Sequence, residues 1–278
     1  MGRPWRLLVD ANASGHFNMG VDEALLSSAI LAGTPSLRFY GWTGPWLSLG
    51  YAQPLEPAQV RQLEAAGVGW VRRVTGGRAV LHGADLTYSI AAPEDALPAG
   101  LRASYGVVAD ALLEALQSLG VPATRSDPGA SAPGVSVFDC FQEPAADEIC
   151  LAGKKLSGSA QRRVGRALLQ HGSIRLTPDP PDAVRAVAPG RRSLGGTSLA
   201  EAGATVSREA LEAACARAFS RRLGVPLEPS PLSAGEVARA RSRGPEPPRT
   251  SRYEGADSPE VPLDSWAGAP QESPSSIR

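Results

Sequence analysis

Alternation governs the middle of this chain. Ser36 to Trp42, Gly69 to Val74, Ala79 to His82, Asp85 to Ala91, Glu148 to Leu151, Leu156 to Arg163 and Ala167 to Leu176 read as strands separated by Gly- or Pro-bearing turns. In Asp85 to Ala91, Leu86, Tyr88 and Ile90 share one face, the period-two pattern of a sheet with a buried side. Trp46 to Tyr51 reads as a partner of Ser36 to Trp42 across Thr43-Gly44-Pro45. Gly76-Gly77 reads as a sharp strand-to-strand turn. Strands outnumber helices and come as hairpins with helices between them. That pattern predicts an α+β fold, a mixed and largely antiparallel sheet with packed helices, and argues against the βαβ alternation of a Rossmann fold.

The helices are read from their caps and stripes. Asn18 is placed to cap a helix over 19–32, with Asp22 and Glu23 in its first turn, where the helix dipole favours acid. Pro57 opens a short helix to Ala66. Ser104 to Leu119 carries the clearest stripe, Val108, Leu112, Leu116 and Leu119, and Gly120 closes it. Ser207 caps a helix to Leu223, with Leu211, Cys215, Ala218 and Phe219 inward. From Gly244 onward Pro, Ser and Gly replace large apolar side chains, so this tail is expected to stay disordered.

Charge limits what the chain binds. Its formal net charge is zero, which suggests neither nucleic acid nor an anionic membrane. No apolar run has the length of a membrane span, and the N-terminus lacks the apolar core of a signal peptide. Three cysteines at spacings that match no zinc pattern suggest a reduced, cytoplasmic protein without a metal site.

Within this Arg-rich chain one pair of residues stands apart. Of 28 basic residues only Lys154 and Lys155 are lysine. Where a sequence so rich in Arg keeps Lys, either a compact, deprotonatable amine is needed or the pair decorates a solvated turn. Cys140, a candidate nucleophile, stands upstream, and a His171-Gly172-Ser173 turn follows. Arg73 and Arg78 bracket Gly76-Gly77, where the backbone is open either to a ligand or simply to an ordinary hairpin turn.

RRVTGGRAVLH (72–82), DLTYS (85–89), GKKLSGSAQRR (153–163) and LLQHGS (168–173) resemble, in order and spacing, the signature blocks of the biotin/lipoate protein ligase superfamily, and NMGVDEALL (18–26) resembles its first helix. The resemblance runs from about residue 5 to about residue 225. It implies a fold related to class II synthetase cores, with a catalytic domain over 1–228 followed by a short helical segment and the tail over 229–278. It implies that Lys155 is the catalytic lysine, with Lys154 pointing the other way. It further implies that Arg73, Thr75, Gly76, Gly77, Arg78, Ala79, His82, Tyr88, Gly158, Ser159, Ala160 and His171 bind substrate.

Two features favour the octanoyltransferase branch over ATP-dependent lipoate–protein ligases. Cys140-Phe141 resembles the nucleophile position of cysteine-dependent octanoyltransferases, and DLTYS stands where ligases more often carry Gly-Asn. QEPAADEI after Cys140-Phe141 fits that branch only loosely. The branch implies an octanoyl acyl carrier protein as donor, a lipoyl-domain protein such as the glycine-cleavage H protein as acceptor, and no cofactor. A ligase, a lipoyl amidotransferase and a non-catalytic lipoyl-domain binder share the fold and remain the alternatives.

The chemistry follows from residue types. A thiolate exchanges readily with a thioester. Cys140 needs a cationic neighbour to ionise near neutral pH, and Lys155 is suited both to that and to the acyl carbonyl. Val80, Leu81 and Tyr88 are expected to line an apolar slot. Cys150 and Cys215 sit on patterns that bury them. His171 reads equally well as a general base or a structural hydrogen-bonder, His82 as pocket wall, and His16 has no evident partner.

Overall fold

The computed structural model describes residues 3–126 and 148–245. Cys140 and the tail from 246 onward lie outside the described residues. A large sheet is built from β1 (Trp5–Ala13), β2 (Ser36–Trp42), β6 (Asp85–Pro93), β7 (Thr124–Arg125), β8 (Ile149–Leu151), β9 (Lys154–Val164), β10 (Ala167–Arg175) and β11 (Leu227–Pro229), in the order β11-β1-β2-β6-β10-β9-β8-β7. A smaller one is β4-β3-β5, from β3 (Trp46–Leu49), β4 (Gly69–Arg72) and β5 (Val80–His82). From β2 to β7 the large sheet is antiparallel throughout, as alternation predicts. At its other edge β11, β1 and β2 run parallel.

The helices are α1 (Gly15–Ala32), α2 (Pro57–Ala65), α3 (Leu101–Ser118), α4 (Pro181–Val187), α5 (Arg208–Leu223) and α6 (Ala234–Ser242). Among the described residues none is long and apolar enough to cross a membrane. Leu86, Tyr88 and Ile90 of β6 face α3 and α5, whose Val108, Leu112, Leu116, Leu211 and Phe219 complete the main core. The opposite face packs on α1 through Val21, Leu25, Leu26 and Ala29. α2 and α4 cover the small sheet.

Three sequence expectations are corrected here. α1 starts at Gly15 and is capped by Ser14, whose hydroxyl accepts from the Phe17 amide. Asn18 is therefore interior, buried, and donates to the carbonyls of Ala13 and Gly41. That extra turn carries Asp22 and Glu23 from the helix start into its middle. β2 and β3 do not pair: β2 joins β1 and β6, while β3 crosses into the small sheet. Nor is Gly76-Gly77 a hairpin turn, because β4 and β5 flank β3 on opposite sides and the 73–79 segment passes across the end of β3 between them.

α6 lies along α1. Its Ala240 is buried in the α1 cluster, Glu236 takes two bonds from Arg6 and one from Ser28, and Arg239 donates to Ser27. Gly20 is what permits the approach: a Cβ there would lie 2.7 Å from the Ala240 carbonyl oxygen and 2.8 Å from its Cα. Both obstacles are backbone, so they cannot swing aside. Gly20→Ala is expected to lower unfolding free energy by about 1–3 kcal/mol in a urea titration. An unchanged midpoint would show that α6 does not depend on this contact.

Candidate active site

The face of the large sheet turned toward α1 and the small sheet is unusually polar. Residues paired across antiparallel strands share a face. Thr87 pairs with Ser173 and Ser173 with Gly158, while Ser89 pairs with His171 and His171 with Ala160. Over this patch the small sheet contributes Ser48, Val80 and His82, the following segment Arg73 and Gly77, and α1 Met19. With Tyr40, Trp42, Ser159 and Gly172 these line one open pocket. Gly76, Gly77 and Arg78 are exposed on its outer side.

The polar wall groups bond to one another. His82 Nδ1 is 2.8 Å from Asp85 Oδ2 and its Nε2 2.7 Å from Ser48 Oγ. Asp85 also accepts from Thr87 Oγ1, which accepts from the Trp42 indole. The His82 ring stacks on Trp42 at 4.0 Å. Arg73 donates to the carbonyl and hydroxyl of Ser48 and to the carbonyls of Gly76 and Arg78. On the other side Asp22 accepts from Arg38, Tyr40 and Ser89 and lies 3.0 Å from His171 Nδ1. His171 Nε2 is 2.7 Å from Thr75 Oγ1.

Burial pushes the Asp22 carboxyl up, but the His171 hydrogen bond, the Arg38 charge and the Ser89 bond outweigh it and hold Asp22 below the usual carboxylate range. Asp85 is lowered in the same way: burial is countered by His82, by the Gly83 amide and by Thr87. For His171 burial dominates, lowering its pKa against the opposing pull of Asp22.

Lys155 comes to stand beside Gly158 of this cavity through a break in strand regularity. Ile149 pairs with Ser157 but Cys150 pairs with Lys155, so β9 carries one extra residue, Leu156, as a β-bulge. The bulge lets Leu156 and Ser157 share the core face and puts Lys155 on the face of Gly158. A Cβ on Gly158 would meet Lys155 Cε at 3.0 Å and Nζ at 3.1 Å. The buried ammonium donates to Glu148 Oε1 at 2.5 Å, and the Lys155 carbonyl accepts from the Thr197 amide. Lys154 is exposed.

Of the residues expected to bind substrate, Arg73, Gly77, His82, Gly158, Ser159, Ala160 and His171 line the cavity, as does Val80. Thr75 is buried behind the wall against His171, and Gly76 and Arg78 are held by Arg73. The structure places the others elsewhere. Tyr88 shares the face of Leu86 and Ile90, so it points into the core beside Phe219, and burial pushes its phenol up to about 12. Ala79 and Leu81 face the packing of the small sheet against α2 and α4. Arg72 points away from the cavity and donates to the carbonyls of Gly50, Tyr51 and Gln53. His16 packs edge-on against Trp46.

Sequence reasoning missed Met19, Tyr40, Trp42, Ser48, Thr87 and Ser173 in the wall, and Asp22 and Asp85 behind it. Two cysteines are described. Cys150 and Cys215 are buried, and burial raises both thiols, Cys215 to about 12.

Residues 14–220 match the lipoyl protein ligase A/B catalytic domain. The chain is 40% identical over 253 residues to octanoyltransferase LipM of Kyrpidia tusciae, covering 84% of this chain and 92% of that one. It is 38% identical over 258 residues to octanoyltransferase LipM of Symbiobacterium thermophilum, covering 86% and 93%. Among solved structures, lipoate–protein ligase A bound with ATP superposes with a TM-score of 0.71 at 24% identity, over 86% of this chain and 93% of that one. A putative lipoate protein ligase from T. acidophilum with bound lipoic acid gives 0.69, also at 24%, over 86% and 94%. Those two likenesses bear on the fold, which they share with this chain. By its own residues and by its relatives, this chain belongs to the lipoyl protein ligase A/B catalytic domain family.

Proposed function

We propose that the chain is an octanoyltransferase of lipoate synthesis. It takes octanoyl from the thioester of an acyl carrier protein, holds it on Cys140, and passes it to a lysine of a lipoyl domain such as that of the glycine-cleavage H protein. The observation that carries this reading is the cavity beside Lys155. Ser48, Arg73 and His82 bond among themselves, Thr87 bonds to Asp85 and Trp42, and His171 lies against Asp22 and Thr75, so the wall that a ligand meets is largely apolar. A saturated acyl chain needs no hydrogen bond, and such a wall lets it in without leaving a buried donor or acceptor unmatched.

The chemistry balances with the residues at hand. A cysteine thiolate attacks the donor carbonyl and the carrier thiolate leaves, exchanging one thioester for another. The acceptor amine, once it has lost its proton, attacks in turn and expels the cysteine thiolate, giving an amide. In this reading Lys155, ion-paired with Glu148 beside Gly158, stabilises the oxyanion that develops on the acyl carbonyl. Support for Cys140 as nucleophile is chemical: the other two thiols are buried and hard to ionise. A free thiolate nucleophile also suits the reducing cytoplasm, where we place the reaction.

The deciding experiment mixes purified chain with octanoyl carrier protein and apo acceptor, with and without ATP. Amide product is expected without ATP. Product only from free octanoate or lipoate plus ATP would make the chain a ligase. Without acceptor, an octanoyl adduct sensitive to hydroxylamine is expected on the Cys140 peptide and absent from Cys140→Ser.

Lys155→Arg keeps the charge but puts a larger planar fork into the space beside Gly158. Turnover is expected to fall by at least about 100-fold, the size of effect seen when an oxyanion donor is lost. Lys154→Arg should be silent. Equal rates for the two variants would remove Lys155 from the mechanism.

A further inference from the structure

We infer that Asp22 and Asp85 are positioning residues for the transfer: each locks a histidine in one tautomer, and the two histidines hold the Thr75–Arg78 segment, whose Gly77 lines the cavity, His171 directly and His82 through Ser48 and Arg73. The inference deepens the proposed function, since it takes that wall as part of the acyl site.

The Thr75–Arg78 segment is exposed along 76–78 and belongs to no strand, yet it is gripped from three directions. Thr75 Oγ1 meets His171 Nε2 at 2.7 Å, and the Thr75 carbonyl accepts from the Tyr51 amide. Arg73 takes the carbonyls of Gly76 and Arg78 at 3.0 Å each. Beneath it lies Gly50, where a Cβ would come 1.9 Å from the Gly77 carbonyl oxygen. The wall rests directly on backbone, with no side chain between.

Two of these grips lead back to a buried carboxylate. An ionised carboxylate only accepts, so Asp22 requires the His171 proton on Nδ1 and leaves Nε2 to accept from the Thr75 hydroxyl. On the other side Asp85 requires the His82 proton on Nδ1, so Nε2 accepts from Ser48. The Ser48 oxygen, its proton thus directed, faces Arg73 at 2.7 Å as an acceptor. Reversing either imidazole would set two acceptors face to face, a carboxylate oxygen against a bare Nδ1, at Asp85–His82 or at Asp22–His171. Asp22 and Asp85 come from different elements, α1 and β6, yet both chains end on one short segment. Neither carboxylate touches the cavity space itself, so their action passes through the histidines.

The test reads tautomers and kinetics separately. In the 15N-histidine NMR spectrum of the full chain, His82 and His171 are each expected to carry the ring proton on Nδ1 with Nε2 bare. Asp22→Asn should move the His171 proton to Nε2, because the amide can turn its NH₂ toward Nδ1, and Asp85→Asn should do the same to His82. With octanoyl carrier protein as donor, each variant should raise KM about tenfold or more while kcat falls less, the mark of a binding wall out of place. Thr75→Val should reproduce the KM rise with the His171 tautomer intact and with displaced Gly76 and Gly77 amide resonances, and Thr75→Ser should restore both.

An Nε2–H tautomer in the parent protein would overturn the inference. So would a loss of melting temperature with KM unchanged, or equal behaviour of Thr75→Val and Thr75→Ser. If Asp22→Asn does not fold, Asp85→Asn and the Thr75 pair carry the test. A chain that never transfers octanoyl would sink the proposed function alone, and the tautomers and glycine resonances would still decide this point.

Discussion

One buried carboxylate organises the centre of the molecule. Asp22 leaves α1 and enters the sheet face, where it accepts from Arg38 and Tyr40 on β2, Ser89 on β6 and His171 on β10. An isolated charge at this depth would be prohibitively costly, and removing one partner of such a group costs several kcal/mol. Here the donors come from three neighbouring strands, so the register of β2, β6 and β10 and the docking of α1 are all conditions for keeping that charge. Arg38 answers it, buried and shared with Asp10, its guanidinium 3.9 Å above the Tyr40 ring. Apolar packing gives the fold its bulk, but this network decides where α1 sits. Met19, one turn earlier on the same face, is thereby set into the cavity wall.

A second constraint acts at the other end. Regular alternation along β9 would leave Lys155 on the same face as Ser157, toward α3. The bulge at Leu156 reverses this for a single residue, and Gly158 leaves the space that the lysine stem then occupies. Leu156 returns to the main core, so the irregularity stays packed. The two lysines of the sequence thus differ in kind as well as in position: Lys155 is buried on a carboxylate and Lys154 points to solvent.

Much of this architecture is legible in sequence because it rests on local periodicity. The Leu86-Tyr88-Ile90 alternation and the Val108-Leu112-Leu116 stripe point to the faces they occupy. The family blocks also single out Lys155 and most of the cavity wall. Hidden from the sequence is whatever depends on partners distant along the chain. Asp22 reads as a helix-dipole acid only if Asn18 is the cap; with Ser14 as cap the same residue becomes a core anion, and nothing local distinguishes the two. Likewise β2 and β3 carry patterns suited to a hairpin, and their separation into two sheets follows from what each pairs with far downstream. Tyr88 is the instructive case. Its family block belongs to the site, but strand parity turns its side chain away, so a motif locates a segment better than it locates a side chain.

The cavity wall also shows how so polar a set of residues can present a largely apolar surface. A slot lined only with leucines would be apolar but would not fix the backbone of a seven-residue crossing such as 73–79, whose main-chain bonds to 49–51 are confined to Arg73 and Thr75 among those described. Hydrogen bonds supply that rigidity, provided every donor meets an acceptor, because a half-satisfied network would present unmatched groups to the ligand. Each histidine stands between a carboxylate and a hydroxyl, His82 between Asp85 and Ser48 and His171 between Asp22 and Thr75. Order in the wall and indifference toward a hydrocarbon chain therefore have the same origin. Pairing of donors with acceptors within the wall leaves it ordered and at the same time largely apolar toward the pocket.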